Sequence, residues 1–160
     1  MEEVIKNILE RFGNREIKYK DKDMWTFYPD KEYFFDFVDY IKDYGEFDIL
    51  LDITAVDYLE WTKEKKDRFE MVYHFLSLKY NIRIRVKYTL KKDEKGLTLT
   101  SYYKNANWLE REVYDMYGIV FEGHPDMRRI LMYDEFKGFP LRKDYPLKKR
   151  QPRIKGLNDD

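Results

Sequence analysis

The chain has 160 residues, of which 39% are charged and 18% aromatic, and its formal net charge at pH 7 is zero. This length predicts a single domain, and the aromatic content excludes a wholly disordered protein. The absence of cysteine excludes disulfides, thiol nucleophiles and thiolate-bound iron–sulfur or zinc sites. With only two histidines, a multi-histidine metal centre is not expected either.

The charges are unevenly distributed along the chain. Residues 1–60 hold 16 acidic and 8 basic side chains, whereas residues 61–160 hold 15 acidic and 23 basic ones. This asymmetry favours contact between the second half and an acidic or polar partner, and an uneven solvated surface is the alternative. The first residues lack the basic flank and apolar run of a signal peptide. We also find no apolar stretch near the roughly 18 residues that a membrane-spanning helix needs.

The first third of the chain predicts two helices and a strand pair. Apolar residues recur at helical spacing over residues 2–12, and short strands are predicted near 17–19 and 25–28. Asp30 is the expected N-cap of a second helix that ends before Gly45. The apolar face of that helix is Tyr33, Phe34, Phe37, Val38, Ile41 and Tyr44. Their helical spacing predicts core packing rather than a cofactor site.

Strands follow in the middle of the chain. They are predicted over residues 47–56, 69–78, 82–88 and 97–102, and the short link at Tyr80-Asn81 indicates a hairpin. His74 lies in the apolar second run and is predicted to be a core residue. Asp52 and Asp57 are an odd number of residues apart, so they face opposite ways on one strand. We interpret both as strand-end surface groups.

A third helix is predicted over residues 107–117. Asn107 and Glu110 have the spacing of a capping box, and Gly118 is a natural residue to follow the last turn. Helices and strands in this order indicate an α+β fold, with an antiparallel or mixed sheet and the helices packed on one face. The expected organisation is an α+β domain (1–118), an extended interface arm (119–147) and a basic and polar tail (148–160).

The sequence contains few candidate catalytic residues. His124 stands near Asp126, and such a pair could act as a general base or a metal ligand. No serine, cysteine or second histidine accompanies it, so we predict a structural turn in which the ring bonds nearby backbone. Nothing matches a phosphate-binding loop. Arg83, Arg85 and Lys87 leave a nucleic-acid-binding sheet face as an alternative, although the neighbouring aromatics fall on the opposite face.

A long motif begins in the third helix. Residues 107–131 read NWLEREVYDMYGIVFEGHPDMRRIL, and residues 137–147 read KGFPLRKDYPL. Together they resemble the 30 kDa subunit of proton-translocating NADH:quinone oxidoreductase, respiratory complex I. Residues 52–58 also look like the mid-domain strand of that family. The motif positions are Glu110, Arg111, Glu112, Asp115, His124, Asp126, Arg128, Arg129, Arg142, Asp144 and Tyr145.

The resemblance implies a non-catalytic subunit of the peripheral arm of that enzyme. It implies no catalytic, cofactor-binding or metal-binding residue on this chain, because NADH, FMN, the iron–sulfur clusters and the quinone belong to other subunits. The implied partner is the quinone-pocket subunit, the 49 kDa-type relative of the hydrogenase large subunit. Membrane contact is expected only through the complex, on the cytoplasmic side, and no nucleic acid is expected. Related subunits of membrane-bound hydrogenases and F420-type dehydrogenases stay open as alternatives.

The residues themselves support such a role. Arg111 and Asp115 are four apart on the third helix and are predicted to pair. Arg128, Arg129 and Arg142 can each grip a carboxylate or several carbonyls. Our hypothesis is that helix 107–117 holds the following arm, which is partly buried against the partner. The alternative is that the arm only caps its own domain.

Overall fold

The computed structural model describes residues 2–12, 17–21, 24–60, 67–148 and 150–152. Three α-helices lie in these residues: α1 (Glu2–Phe12), α2 (Phe34–Asp43) and α3 (Ala106–Tyr117). The strands are β1 (Ile17–Asp21), β2 (Met24–Phe27), β3 (Ile49–Asp57), β4 (Phe69–Ser77), β5 (Ile82–Leu90), β6 (Gly96–Leu97) and β7 (Phe121–Glu122). Within the described ranges, no helix combines the length and the apolar character needed to cross a bilayer.

Five strands form one mixed sheet in the order β1-β2-β5-β4-β3. All neighbours are antiparallel except β2 and β5, which run parallel. β4 and β5 form the predicted hairpin, and Asn81 in its loop has a φ of 50°. β6 and β7 form a separate parallel pair, in which Gly96 lies opposite Phe121. This pair brings the segment before α3 next to the segment after it.

The core lies on one face of the five-stranded sheet. Period-two alternation places Ile84 and Val86 of β5 on that face, and both are fully buried. Ile8 of α1, Phe34 of α2 and Val113 of α3 belong to the same buried cluster. Burial of each such side chain contributes about 1.5–3 kcal/mol to folding. The predicted α+β class, with helices packed on one sheet face, is therefore confirmed.

The entrance to α2 differs from the prediction. A single 3-10 turn at Lys31–Tyr33 precedes the helix, and the side chain of Asp30 makes no capping hydrogen bond. Its backbone carbonyl accepts the Tyr33 N–H instead. Tyr44 was expected on the apolar face, but it is 72% exposed and its ring stacks on Tyr40. The helix has already ended at Tyr44, so helical spacing no longer fixes its direction.

The strand predicted over residues 97–102 is also largely wrong. β6 ends at Leu97, and the backbone N–H groups of Tyr102 and Tyr103 both donate to the Leu99 carbonyl. The Thr98 hydroxyl accepts the Thr100 N–H and contacts the Thr100 hydroxyl. Hydroxyl side chains that bond nearby backbone favour turns over strands, which explains the early end.

The second face of the sheet carries paired charges. Lys87 binds Glu70 at 2.8 Å, and Arg85 donates to His74 at 3.0 Å. His74 is thus a half-buried member of a polar row with Asp52, not the predicted core residue. It lies on this face because its position in β4 falls between those of inward-facing residues. Glu70 neutralises Lys87, and the Arg85 side chain is bound to His74, so Arg83 is the exposed member of the three basic residues on this face.

Candidate functional site

The predicted capping box at the start of α3 is not formed. The N-cap is Asn105, without a side-chain cap, and Asn107 lies inside the helix. Glu110 turns inward instead, and its side chain is fully buried. Its carboxyl accepts the Leu99 N–H at 2.6 Å and the Thr98 hydroxyl at 2.7 Å. The side chain therefore joins the helix to the preceding loop rather than to its own first turn.

Burial dominates the electrostatics of Glu110. Removal from water raises the pKa of its carboxyl from 4.5 to about 7, although the bonds from Leu99 and Thr98 act in the opposite direction. The Nε2 atom of His124 lies 4.0 Å from this carboxyl. The site thus contains a buried acid that titrates close to neutral pH.

His124 forms the structural turn that the sequence predicted. Its Nδ1 accepts the Asp126 N–H at 3.0 Å, and its Nε2 lies 3.1 Å from the Asn107 carbonyl. Because Nδ1 accepts, the ring proton is placed on Nε2, where it donates to that carbonyl. The imidazole side chain is fully buried. It attaches the start of the arm, residues 119–147, to the first turn of α3.

Asp115 is the main anchor of the arm on α3. Its fully buried carboxylate binds Arg129 at 2.6 Å and accepts the backbone N–H groups of Ile130, Leu131 and Met132 at 2.8–3.0 Å. Burial opposes ionisation, but these four donors outweigh it and hold the pKa of Asp115 below its ordinary value. The carboxylate therefore stays charged at neutral pH and fixes three successive residues of the arm.

Arg111 does not pair with Asp115, contrary to the prediction. Its Nε donates to the carbonyl of Arg128 at 3.0 Å, and a terminal nitrogen donates to the carbonyl of Arg129 at 3.1 Å. Arg129 binds the Asp115 carboxylate in its place and also donates to the Gly138 carbonyl at 3.0 Å. Both arginines thus bind backbone of the arm. For Arg129, the prediction that its side chain grips a carboxylate or several carbonyls is confirmed.

Arg142 closes the last turn of α3. Its Nε donates to the carbonyl of Tyr117, and its guanidinium stacks 4.6 Å from the centre of the Phe139 ring. The Leu141 N–H also donates to the Met116 carbonyl at 3.0 Å. A helix C-terminus leaves carbonyls without partners and favours a cation, so Arg142 satisfies both needs. The arm is therefore bound along the whole length of α3.

A further anchor lies beyond α3 and was not predicted. Asp57 at the end of β3 is fully buried, binds Arg68 through two bonds of 2.9–3.1 Å and accepts the Lys143 N–H at 3.0 Å. Burial opposes ionisation of Asp57, but Arg68 and the backbone donors hold its pKa below the ordinary value. Arg68 also binds Asp144 at 2.9 Å. Interpreting Asp57 as a surface group was therefore wrong, because residues 143–144 fold back over the end of β3.

The remaining motif residues lie nearer the surface. Asp126 and Arg128 form a local ion pair of 2.6–2.7 Å, in which the Arg128 side chain is 79% exposed. Glu112 is exposed on α3. Tyr145 stacks on the Phe136 ring at 6.0 Å. For all of these residues, a role at a subunit interface stays a prediction.

The outer side of the arm exposes apolar side chains. Leu131 is 55% exposed, Leu141 51% and Leu147 98%. Trp108 on α3 is 59% exposed, and the Arg111 guanidinium lies 5.2 Å from the centre of its ring. Sequence reasoning missed this feature, because a leucine in an irregular segment carries no periodicity that tells its direction. The four side chains are called the apolar surface below.

The described residues show no assembled reactive group. Their histidine, aspartate and glutamate side chains form no cluster of three or more that could hold a metal ion. His124 has both ring nitrogens engaged by backbone, so it lacks the free acceptor that a general base needs.

The architecture defines a class of small α+β proteins that carry a C-terminal segment bound along their last helix. The sequence model of the family described as "Respiratory-chain NADH dehydrogenase, 30 Kd subunit" matches residues 27–151. The chain belongs to this family, and the resemblance seen in its motif is confirmed.

Individual relatives agree with this assignment. A subunit of the NADH-quinone oxidoreductase of Ruegeria pomeroyi is 50% identical over 113 residues, which are 69% of this chain and 54% of that protein. This chain thus spans about half the length of that curated relative. A structure described as Nqo5, trypsin-resistant fragment 1–134, matches with a TM-score of 0.69 and 34% identity over 77% of this chain and 98% of that one.

A chain from an archaeal respiratory membrane complex, the membrane-bound sulfane sulfur reductase, is also similar. It matches with a TM-score of 0.76 and 29% identity over 92% of this chain and 86% of that chain. The shared fold therefore extends through most of the arm as well as the domain.

Proposed function

We propose that this chain is a non-catalytic, peripheral subunit of a proton-translocating NADH:quinone oxidoreductase and that its arm docks onto a larger subunit. The observation that carries the proposal is the family match over residues 27–151, which includes most of the domain and the whole arm. In this function the chain supports electron transfer from NADH to quinone without carrying the electrons. NADH, FMN, iron–sulfur clusters and quinone are assigned to other subunits.

The arm is suited to docking because it is already ordered. Asp115 and Arg111 of α3 bind its backbone, and Arg142 of the arm binds the Tyr117 carbonyl of α3. The apolar surface stays exposed. A segment that is fixed before it binds loses less conformational entropy on association, so more of its contact energy becomes affinity. An exposed tryptophan and arginines are typical of the residues that contribute most to an interface, and the exposed leucines add apolar area to bury.

We assign the arm's partner to the quinone-pocket subunit, the 49 kDa-type relative of the hydrogenase large subunit. Residues 1–118 then serve as the supporting domain, residues 119–147 as the interface and residues 148–160 as a basic and polar tail. Contact with the membrane is through the complex alone, on its cytoplasmic side.

A second candidate function is the equivalent subunit of another membrane-bound complex. The likeness to the chain from the archaeal sulfane sulfur reductase complex supports it. The subunits that co-purify with tagged full-length chain distinguish the two candidates by mass spectrometry. Recovery of a nucleotide-binding NADH dehydrogenase subunit, together with quinone reduction by NADH, supports the first function. Recovery of hydrogenase-type or sulfur-reducing subunits instead supports the second.

The docking itself is tested with Leu131→Asp and Leu141→Asp in the whole enzyme. Both side chains are half exposed, so the isolated variants should unfold at the same urea concentration as the wild type. A charge buried without a partner at an interface is costly, and we expect assembled enzyme to fall by about tenfold or more. Tyr44→Asp, at a site 72% exposed on the domain, is the matched control and should assemble normally. Normal assembly of both leucine variants would contradict the proposal.

A further inference from the structure

Side chains of three neighbouring strands form one polar row on the second face of the sheet. Asp52 of β3 lies opposite His74 of β4, and His74 lies opposite Arg85 of β5. The Nε of Arg85 donates to the Nε2 of His74 at 3.0 Å, and the His74 Nδ1 lies 3.6 Å from a carboxylate oxygen of Asp52. The contacts therefore run across the strands and end at the Arg85 guanidinium.

This order of contacts sets the protonation of the imidazole. Because Nε2 accepts from Arg85, the ring proton is placed on Nδ1, the nitrogen that faces Asp52. Burial and the charge of Arg85 lower the pKa of His74 in spite of Asp52, so the ring stays neutral and keeps its acceptor atom. Asp52 thus orients the ring, and the ring orients the guanidinium.

Arg85 keeps most of its donors free. Its two terminal nitrogens carry four of the five N–H donors of a guanidinium, and no group in the described part of the chain accepts from them. Arg68 and Arg129, in contrast, each bind a carboxylate. Asp52 cannot do so for Arg85, because β4 separates their two strands by roughly 10 Å. The free guanidinium fork matches a carboxylate that the described residues do not provide.

The neighbouring charges favour a single carboxylate over a polyanion. Arg83, two residues earlier on the same face, is exposed and forms no ion pair within the described ranges. Two residues later, Lys87 is neutralised by Glu70 at 2.8 Å. A nucleic acid needs a series of free cations along successive phosphates, whereas β5 offers only two, roughly 7 Å apart. The site therefore fits one acidic side chain of a protein.

We propose that Arg85, positioned by His74 and Asp52, binds a carboxylate on a neighbouring subunit of the complex, with Arg83 beside it as a second cation. The inference rests on the proposed function, because it requires that the chain is one subunit of a larger enzyme. It goes beyond that function, since the contact lies on the sheet and not on the arm. Such a charge pair forms only where an acidic residue is within reach, so it helps to fix the position of the partner.

Carbodiimide crosslinking of the whole enzyme with Arg85→Lys tests this contact. The reagent joins an amine to a carboxylate that touches it, and it does not couple a guanidinium. After digestion, mass spectrometry should show position 85 joined to an acidic residue of another subunit, in a product absent from the wild type. Lys6 and Glu10, an exposed ion pair of 3.6 Å on α1, are the internal control and should be joined in every sample.

The outcomes separate this inference from the docking of the arm. An assembled enzyme without an intersubunit product at position 85, or with a product to Asp52 of the same chain only, would overturn the inference and leave the proposed function standing. Purification of the chain without any partner subunit would overturn both.

The charge of Arg85 is tested by release of the chain from the purified enzyme at rising salt. Arg85→Gln keeps a donor amide, and the isolated variant should unfold at nearly the same urea concentration as the wild type. We expect its release from the enzyme to be about tenfold faster, whereas the exposed control Lys92→Gln should behave as the wild type. Equal release rates of the two variants would contradict the proposal. Binding of a single-stranded oligonucleotide to the isolated chain, if lost in Arg85→Gln, would assign the site to phosphates and also overturn it.

Discussion

Asp115→Asn is the substitution that tests most directly how the arm is held. The side chain keeps its size, but it loses its charge and replaces one accepting oxygen with a donating amide. Four donors now converge on the carboxylate: Arg129 and the backbone N–H groups of residues 130–132. After the change at least one of them faces another donor, and Arg129, whose side chain is 18% exposed, loses its ion-pair partner.

The expected cost is about 3–5 kcal/mol, the usual range when one member of a buried ion pair is removed. Native domains are stabilised by about 5–15 kcal/mol, so the core should survive while the arm detaches. Because the pKa of Asp115 is held below its ordinary value, this contribution is complete above the unfolded pKa. It is lost only as pH falls through the lower folded pKa. At neutral pH the effect should therefore not vary with pH.

Amide exchange and urea unfolding measure the two consequences separately. The amides of Ile130, Leu131 and Met132 should lose about a hundredfold or more of their protection, whereas amides of β4 should lose less. Glu112→Gln, an exposed change on the same helix, is the control and should leave both readouts unchanged. If Asp115→Asn leaves the protection of residues 130–132 as it is in the control, the assignment of Asp115 as the anchor is wrong.

Three further substitutions probe other contacts. Gly118→Ala should lower the free energy of unfolding by about 2 kcal/mol more than Gly123→Ala, as measured by thermal unfolding. Both glycines have a positive φ, but only a Cβ at position 118 would lie within 2.7 Å of side chains of the arm. Equal losses in the two variants would contradict this packing. Asp57→Asn should cost about 3 kcal/mol in urea unfolding by leaving Arg68 without its buried partner, and a loss below about 0.5 kcal/mol would show that the pair is not structural. Tyr73→Phe should cost about 1 kcal/mol through the lost hydroxyl contact in the core, and a stabilised variant would exclude that bond.

Much of the fold could be predicted because it depends on local periodicity. The alternation of Ile82, Ile84 and Val86 with charged residues identified β5 and its buried face. Gly118, with a φ of 71°, ends α3 where a left-handed residue was expected. Predictions went wrong where the chain leaves regular structure, as at Tyr44, since periodicity no longer decides where a side chain points.

The sequence indicated which residues belong to the site better than it indicated which partners they bind. The motif named Asp115 and Arg111, and their spacing on one helix predicted that they would pair. In the fold each binds the arm instead, because Arg129 and the backbone of residues 128–132 offer better-oriented partners. Helical spacing shows only which residues of a helix are neighbours, and it says nothing about a competitor 14 residues further on.

The partners of Glu110 also could not be predicted from its position in the helix. Its spacing from Asn107 fits a capping box, but the loop at 98–99 provides donors that hold it in the core. A glutamate on the inward side of an amphipathic helix is the one signal in the sequence that could have indicated burial. Its partners lie 11 and 12 residues earlier in an irregular segment, so they could not be identified without the fold.

Docking of the arm is tested most directly by the accessibility of single introduced cysteines, since the chain has none of its own. Leu131→Cys, Leu141→Cys and the control Tyr44→Cys would be labelled with a thiol reagent in the isolated chain and in the whole enzyme, with labelling of this chain read by mass spectrometry. All three side chains are at least half exposed in the isolated chain, so all should react quickly there. We predict that assembly slows labelling at 131 and 141 by about tenfold or more and leaves 44 unchanged. Equal labelling of positions 131 and 141 in both states would contradict the docking of the arm on another subunit.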